Sequence, residues 1–323
     1  MSRREFLARS TTATIAGATA LAVSKPGLAA ATPSAGTIGS LIDLTACEGC
    51  GACVTACSVK NAGNHPVPVD DIPVNWPTGK SEDWSDLADD TGRLTPYNWT
   101  YVEHLEVDGH ALNIPRRCMH CDDPACAKLC PFGAQDKDAQ GAVVIDHHLC
   151  MGGAKCRDVC PWEIPQRQAG VGLYMNLLPG LVGGGVMYKC DMCADMLEQG
   201  EQPACATACP TGAMRFGDKE EMRLAAAARA EEIGGYVYGV AENGGTSTFY
   251  VSPVPFERID EAIVAKKADL PQRLQTSVPR MAPDVRNYLD TATGLTATYA
   301  AAPIAGVAAA AVAAAVAWKG GAK

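Results

Sequence analysis

The residues that could do chemistry in this chain are its cysteines. They fall into four groups: Cys47-x2-Cys50-x2-Cys53-x3-Cys57, Cys118-x2-Cys121-x4-Cys126-x3-Cys130-Pro131, Cys150-x5-Cys156-x3-Cys160-Pro161, and Cys190-x2-Cys193-x11-Cys205-x3-Cys209-Pro210. These groups use all 15 cysteines of the 323-residue chain. A C-x2-C-x2-C loop curls around one cubane iron–sulfur cluster, and the cysteine three residues on, before proline, ligates a neighbouring cluster. Zinc also accepts C-x2-C pairs, but it needs neither the third cysteine nor the C-x3-C-P tail. An odd cysteine count and closely spaced pairs argue against disulfides.

The third group departs from the pattern. The position three after Cys150, a cysteine in the other groups, is Gly153, which cannot ligate. One cluster is therefore expected to have three protein ligands and to be 3Fe-4S, beside three 4Fe-4S clusters. Two-cluster logic, in which each cluster borrows a ligand from its partner's group, leaves two arrangements open. Neighbouring groups can pair (one with two, three with four), or the groups can nest (one with four, two with three).

The order of the groups and their prolines, over about residues 38–216, resembles the iron–sulfur subunit of the molybdopterin oxidoreductase family and the ferredoxin-type subunit of uptake hydrogenases. The resemblance implies nested pairing. One 4Fe-4S cluster would take Cys47, Cys50, Cys53 and Cys209; a second, Cys57, Cys190, Cys193 and Cys205; a third, Cys118, Cys121, Cys126 and Cys160. The 3Fe-4S cluster would take Cys130, Cys150 and Cys156. It further implies an electron-transfer subunit with no catalytic residues, relaying electrons between a large exported catalytic subunit, formate dehydrogenase-like, and an integral membrane quinone-reactive subunit. The same relay in a nickel–iron hydrogenase or a sulfur-compound reductase is the alternative. A metal-stabilised structural module and an autonomous redox enzyme are the readings of other classes. In the nitrate-reductase branch the missing ligand position holds Trp, whereas the formate dehydrogenase and hydrogenase branches usually keep four cysteines, so Gly153 fits neither pattern.

The elements positioning these groups read as an α+β fold: two nested ferredoxin-like modules plus one carboxyl-terminal transmembrane helix. Short strands are expected at 38–44, 141–146 and 212–216, framing the cysteine loops. The outer module comprises 38–60 and 186–217, the inner one 114–165. Between them 61–113 is an insertion carrying Trp76, Trp84 and Trp99 with Glu82, Asp83, Asp86, Asp89 and Asp90. Its tryptophans suit a protein interface or a local core equally; a strand is expected at 101–107. The mostly uncharged stretch 162–185, rich in Gly, Leu and Pro, is expected to pack on another subunit or a membrane surface. Beyond the modules, 218–290 reads as a helix at 219–232, a hairpin around Glu242-Asn243-Gly244-Gly245, and an irregular arm with prolines to 283.

Both ends look like addresses. Residues 1–31 open Ser2-Arg3-Arg4-Glu5-Phe6-Leu7 and continue through a mildly apolar run, the pattern of a twin-arginine export signal. Residues 291–318 lack charge and exceed the length needed to span a bilayer. Together these predict a protein at the periplasmic face of the cytoplasmic membrane, held in lipid by its carboxyl-terminal helix. A net charge of −9 argues against nucleic acid as a partner. Lys189 and Lys155 directly precede Cys190 and Cys156, and His120 lies inside Cys118-x2-Cys121; near a cluster, such groups would raise its potential.

Overall fold

A computed structural model describes residues 36–74, 79, 81–177, 184–291 and 293–294. Its central sheet runs in the order Met214–Asp218, Ile38–Asp43, Thr248–Ser252, Tyr236–Tyr238. Ile38–Asp43 is antiparallel to Met214–Asp218, with Leu41 opposite Arg215, and parallel to Thr248–Ser252, with Leu41 opposite Phe249. One face of this sheet carries the helix Lys219–Ile233. Asp218 caps its start by accepting from the Glu220 and Glu221 N–H groups, and Gly234 ends it in the left-handed conformation. Ala226 and Ala230, one turn apart, let the helix approach closely and bury Leu41, Phe249 and Val251.

The cysteine groups hang from this frame in a two-fold pattern. The first follows Ile38–Asp43 and runs into the helix Ala52–Asn61; the fourth ends in the short helix Ala204–Thr207, just before Met214–Asp218. Those two helices pack together, as do Ala125–Lys128 and Lys155–Asp158 of groups two and three. Sequence repeats underlie this. Pro124-Ala125-Cys126-Ala127 and Pro203-Ala204-Cys205-Ala206 each begin a short helix with a proline in the extended conformation. Small hairpins join the halves: Gln135–Lys137 with Val143–Ile145, and Gln166–Gln168 with Val186–Tyr188.

The insertion is mostly irregular and closes with a hairpin, Tyr101–Val107 against His110–Arg116, turning at Asp108-Gly109, both with positive φ. Trp84 and Trp99 are buried, which decides for the local core over an interface; Trp76 lies outside the described residues. Glu82 clamps the insertion to the third cysteine group through Arg157 at 2.7 and 2.8 Å and Arg167 at 2.5 Å. Trp84 stacks under Arg273, 5.2 Å from ring centre to guanidinium carbon, and its backbone N–H donates to Gln168.

The expected strands appear near their predicted places, and the hairpin around 242–245 pairs Tyr236–Tyr238 with Thr248–Ser252. The arm expected to be irregular instead holds the helix Phe256–Ala268, which buries Phe256, Ile259 and Ile263 along one face. Prolines on either side of it sit where helices tolerate them, at the cap and beyond the end. Within 162–185, a strand Gln166–Gln168 and a helical turn Tyr174–Leu177 form, with Leu173 and Leu177 exposed.

The expectation of a carboxyl-terminal transmembrane helix, and of a location anchored by it, is corrected. Among the described residues no helix is long and apolar enough to cross a membrane. The helix Lys219–Ile233, of 15 residues, would reach about 22 Å against the ~30 Å of a hydrocarbon core, and it is charged. The sequence criterion rested on length and absence of charge. Alanine and glycine satisfy both while adding little apolar surface per residue. Residues 1–31 and most of 291–318 lie outside the described residues.

Candidate iron–sulfur centres

Each C-x2-C loop is wound alike. The residue before its second ligand position has a left-handed backbone: Gly49 (φ 72°), His120 (49°), Gly152 (64°) and Met192 (61°). This registers Gly152 with Gly49, His120 and Met192, and it places Gly153 where the other loops carry Cys50, Cys121 and Cys193. Gly153 has no backbone reason to be glycine. Its φ is outside the left-handed range, and a Cβ built on it would meet no atom within 4 Å.

The electrostatic neighbours of the thiols run along the lines of the nested sets. Cys53 has Cys47, Cys209 and Cys50 as electrostatic neighbours. Cys57 has Cys190, Cys205 and Cys193, and Cys121 has Cys126, Cys118 and Cys160. Cys156 faces Cys126, Cys150, Cys130 and Cys160, and Cys150 faces Cys130. Two sets surround hollows. One, the smaller, is lined by Cys57, Cys190, Cys193 and Cys205 with Arg117 and Phe216. The other is lined by Cys130, Cys150, Cys156, Gly153, Gln135 and Lys155, with no carboxylate in its wall. Among the described residues no three Cys, His, Asp or Glu side chains converge tightly enough for a single ion. A lone zinc draws its sulfurs in to about 2.3 Å; thiols spaced around a hollow suit a polynuclear group.

Burial raises the thiols: Cys53 to about 11, and Cys126, Cys160, Cys193 and Cys205 to about 12. Such thiols are protonated at neutral pH and surrender the proton only to a bound metal. Cys209 moves the other way; burial pushes it up, but hydrogen bonds from the Met214 N–H, the Thr211 hydroxyl and nearby backbone hold it below its usual value.

Polar groups aim at the sulfurs. Asn243 Nδ2 donates to Cys121 at 3.1 Å, Gln135 Nε2 to Cys126 at 3.2 Å and Asn61 Nδ2 to Cys57 at 3.5 Å. The Met187 and Met192 N–H groups donate to Cys150 and Cys190, each at 3.4 Å. His120 Nε2 lies 3.6 Å from Cys190 Sγ. Arg117 is buried in the wall of the smaller hollow, and its Nε has no hydrogen-bond partner. An unmet buried donor at that wall is what an anionic cluster would satisfy. Asn61, Gln135, Arg117 and Asn243 escaped the sequence reading. Two carried a local signal: Asn61 stands one helical turn after Cys57, and Arg117 precedes Cys118 as Lys189 precedes Cys190. Gln135 and Asn243 arrive by tertiary folding and carried none.

The sets also lie within electrostatic range of one another in series. Cys205 feels Cys53 of the first set, Cys190 feels Cys118 of the third, and Cys156 feels Cys126 and Cys160. Surface is reached at both ends. Cys50 is exposed at one; Gly153, Phe132 and Leu149 are exposed around the other. The middle cysteines Cys118, Cys121, Cys190 and Cys205 are buried.

Comparison with known proteins points to iron–sulfur clusters. A 4Fe-4S dicluster domain profile matches residues 110–178 and 179–219, and a second profile of that description matches 46–134. Hydrogenase-2 operon protein HybA of Escherichia coli O157:H7 is 29% identical over 300 residues, covering 80% of this chain and 83% of its own. The formate dehydrogenase-O iron-sulfur subunit of Escherichia coli K12 is 33% identical over 235 residues, 66% of each chain. The nitrate-inducible formate dehydrogenase iron-sulfur subunit of the same strain is 32% identical, covering 66% of this chain and 67% of its own.

Proposed function

The chain belongs to the 4Fe-4S dicluster family of oxidoreductase iron–sulfur subunits and is an electron-transfer subunit, and we propose that it relays single electrons along four clusters in a fixed order. The observation that carries this is that the thiol sets lie within electrostatic range of one another in series: Cys53 with Cys205, Cys118 with Cys190, and Cys126 and Cys160 with Cys156. Exposed ends and a buried middle support entry and exit at the termini of the series.

In this reading Cys47, Cys50, Cys53 and Cys209 hold the first 4Fe-4S cluster, Cys57, Cys190, Cys193 and Cys205 the second, and Cys118, Cys121, Cys126 and Cys160 the third. Cys130, Cys150 and Cys156 hold a 3Fe-4S cluster, because Gly153 offers no ligand and no carboxylate lines that hollow. When bound, such clusters accept and release single electrons at potentials set by charge, sulfur hydrogen bonds and exposure. The chain supplies those settings. Asn61, Gln135 and Asn243 donate to ligand sulfurs, and the core around Trp99, Tyr188 and Met192 excludes water.

The partners fall to the same proposal. The first set would face a large catalytic subunit, of formate dehydrogenase or hydrogenase type. The three-thiol end would face a quinone-reactive subunit. Capture of the tagged holoprotein from its native cells, with identification of the co-purifying large subunit, tests this. A molybdopterin subunit selects the formate side, a nickel–iron subunit the hydrogenase side. A colourless preparation free of iron and sulfide, made anaerobically, overturns the relay.

A further inference from the structure

Three basic side chains are buried between the second and third thiol sets, and nothing in a bare relay requires them. Arg117 is 1% exposed, His120 0% and Lys189 4%. Neither Arg117 nor Lys189 lies within ion-pair distance of a carboxylate among the described residues. A buried cation without a counter-ion carries a heavy desolvation penalty. The acidic groups that act most strongly on Arg117 are Cys190 and Cys205, and those that act most strongly on Lys189 are Cys118, Cys126 and Cys190, then Asp191. Their compensation therefore comes from ligand sulfurs, and Lys189 faces sulfurs of both sets.

Their positions are crossed. His120 belongs to the loop of the third set, yet its ring reaches Cys190 of the second. The Val143 N–H donates to His120 Nδ1 at 2.9 Å, which leaves the proton of the neutral ring on Nε2, directed at sulfur. Lys189 flanks the second set, and its Nζ donates to the carbonyls of Val143 and, at 3.1 Å, Cys190. Val143 thus orients both side chains, one through its N–H and one through its carbonyl. Arg117 donates to the Cys118 carbonyl at 3.3 Å and to Ser40 Oγ, and it stacks on Phe216 at 4.9 Å.

We propose that Arg117, His120 and Lys189 form a buried electropositive seam that stabilises an added electron on both central clusters, so that the two central potentials are raised together. This rests on the relay reading above. The seam's residues are positioning residues: they bind no iron, and they act through the charge and hydrogen bonds they present to ligand sulfurs. The consequence is that two clusters shielded from solvent keep a charge environment in which they can be reduced, while the terminal sets reach the surface.

The test is a redox titration, followed by electron paramagnetic resonance, of the full cluster-loaded chain and its variants. Iron and sulfide are measured first, so that missing clusters, which would sink the relay reading itself, are told apart from unmoved potentials. Lys189→Met should lower two of the four couples, each by at least tenfold in the reduced-to-oxidised ratio at fixed ambient potential, which is about 59 mV for one electron. The other two should stay, and Lys189→Arg should restore the pair. His120→Asn keeps a residue that accepts the left-handed backbone and should lower one couple, that of the second set. It also tests the seam if Lys189→Met fails to assemble. Unmoved central couples in both variants, or an equal fall in all four, would overturn the seam.

Discussion

Replacing Gly153 by cysteine restores the thiol that the other loops carry at this position, and its outcome follows from two glycines side by side. The Gly153 Cβ would meet nothing within 4 Å and its backbone is unstrained. A side chain there costs no packing and, by narrowing the unfolded ensemble, stabilises by about 0.4–1 kcal/mol. Gly152 is the opposite case. Its φ is +64° and a Cβ would lie 2.3 Å from the Gly185 carbonyl oxygen, so Gly152→Ala adds a backbone clash to a left-handed cost of about 1–2 kcal/mol. Gly153→Cys should therefore fold, complete the set of Cys130, Cys150 and Cys156, and bind one further iron per chain. The assay is iron and sulfide content, with low-temperature paramagnetic resonance of the oxidised protein. The parent should give the near-isotropic signal of a three-iron cluster, and Gly153→Cys should lose it. A folded variant with unchanged iron and unchanged signal, or a parent lacking the signal, would refute the reasoning from Gly153.

Other substitutions probe the supports of the clusters. Burial pushes the Glu82 carboxyl up, but Arg157 and Arg167 outweigh it and hold it below its usual value. A depressed carboxylate contributes stability above its unfolded pKa and loses it as pH falls through the folded one. Glu82→Gln should cost about 2 kcal/mol at neutral pH and flatten the acid limb below about pH 4.5, read as the urea midpoint for loss of visible absorbance. Asn243→Asp keeps the shape and the left-handed backbone but replaces the donor to Cys121 with a negative oxygen. It should lower the couple of the third cluster in a redox titration and leave the first unmoved. Asp218→Ala removes the cap of Lys219–Ile233 and should lower stability by about 1 kcal/mol, with the cluster potentials unchanged.

The ligands were legible because a cluster dictates local spacing: three thiols on adjacent corners must come from one tight loop. Their grouping was not, since Cys57 reaches Cys205 only after the sheet has brought Met214–Asp218 beside Ile38–Asp43. The nesting was implied by the resemblance, and the helix pairs Ala52–Asn61 with Ala204–Thr207 and Ala125–Lys128 with Lys155–Asp158 pack in keeping with it. The helix Phe256–Ala268 was obscured by prolines that mark its borders, although Phe256, Ile259 and Ile263 already traced a helical face. Trp84 and Trp99 could not be assigned from sequence because burial is a property of what folds over them.

What sequence hid most thoroughly is where the backbone is strained. Each C-x2-C loop needs one left-handed residue. At the two ends of the series that residue is glycine, Gly49 and Gly152, at little cost. In the two central loops it is His120 and Met192, each at about 1–2 kcal/mol. Strain of this kind persists where the side chain does something a glycine cannot. His120 turns an N–H toward Cys190, and Met192 is 1% exposed beside the same sulfur, to which its own N–H donates. Before the second ligand position, a non-glycine bears this cost only in the two buried sets, where no solvent can tune the sulfurs and the protein must; Ala154, just past that position in the three-thiol loop, is left-handed as well.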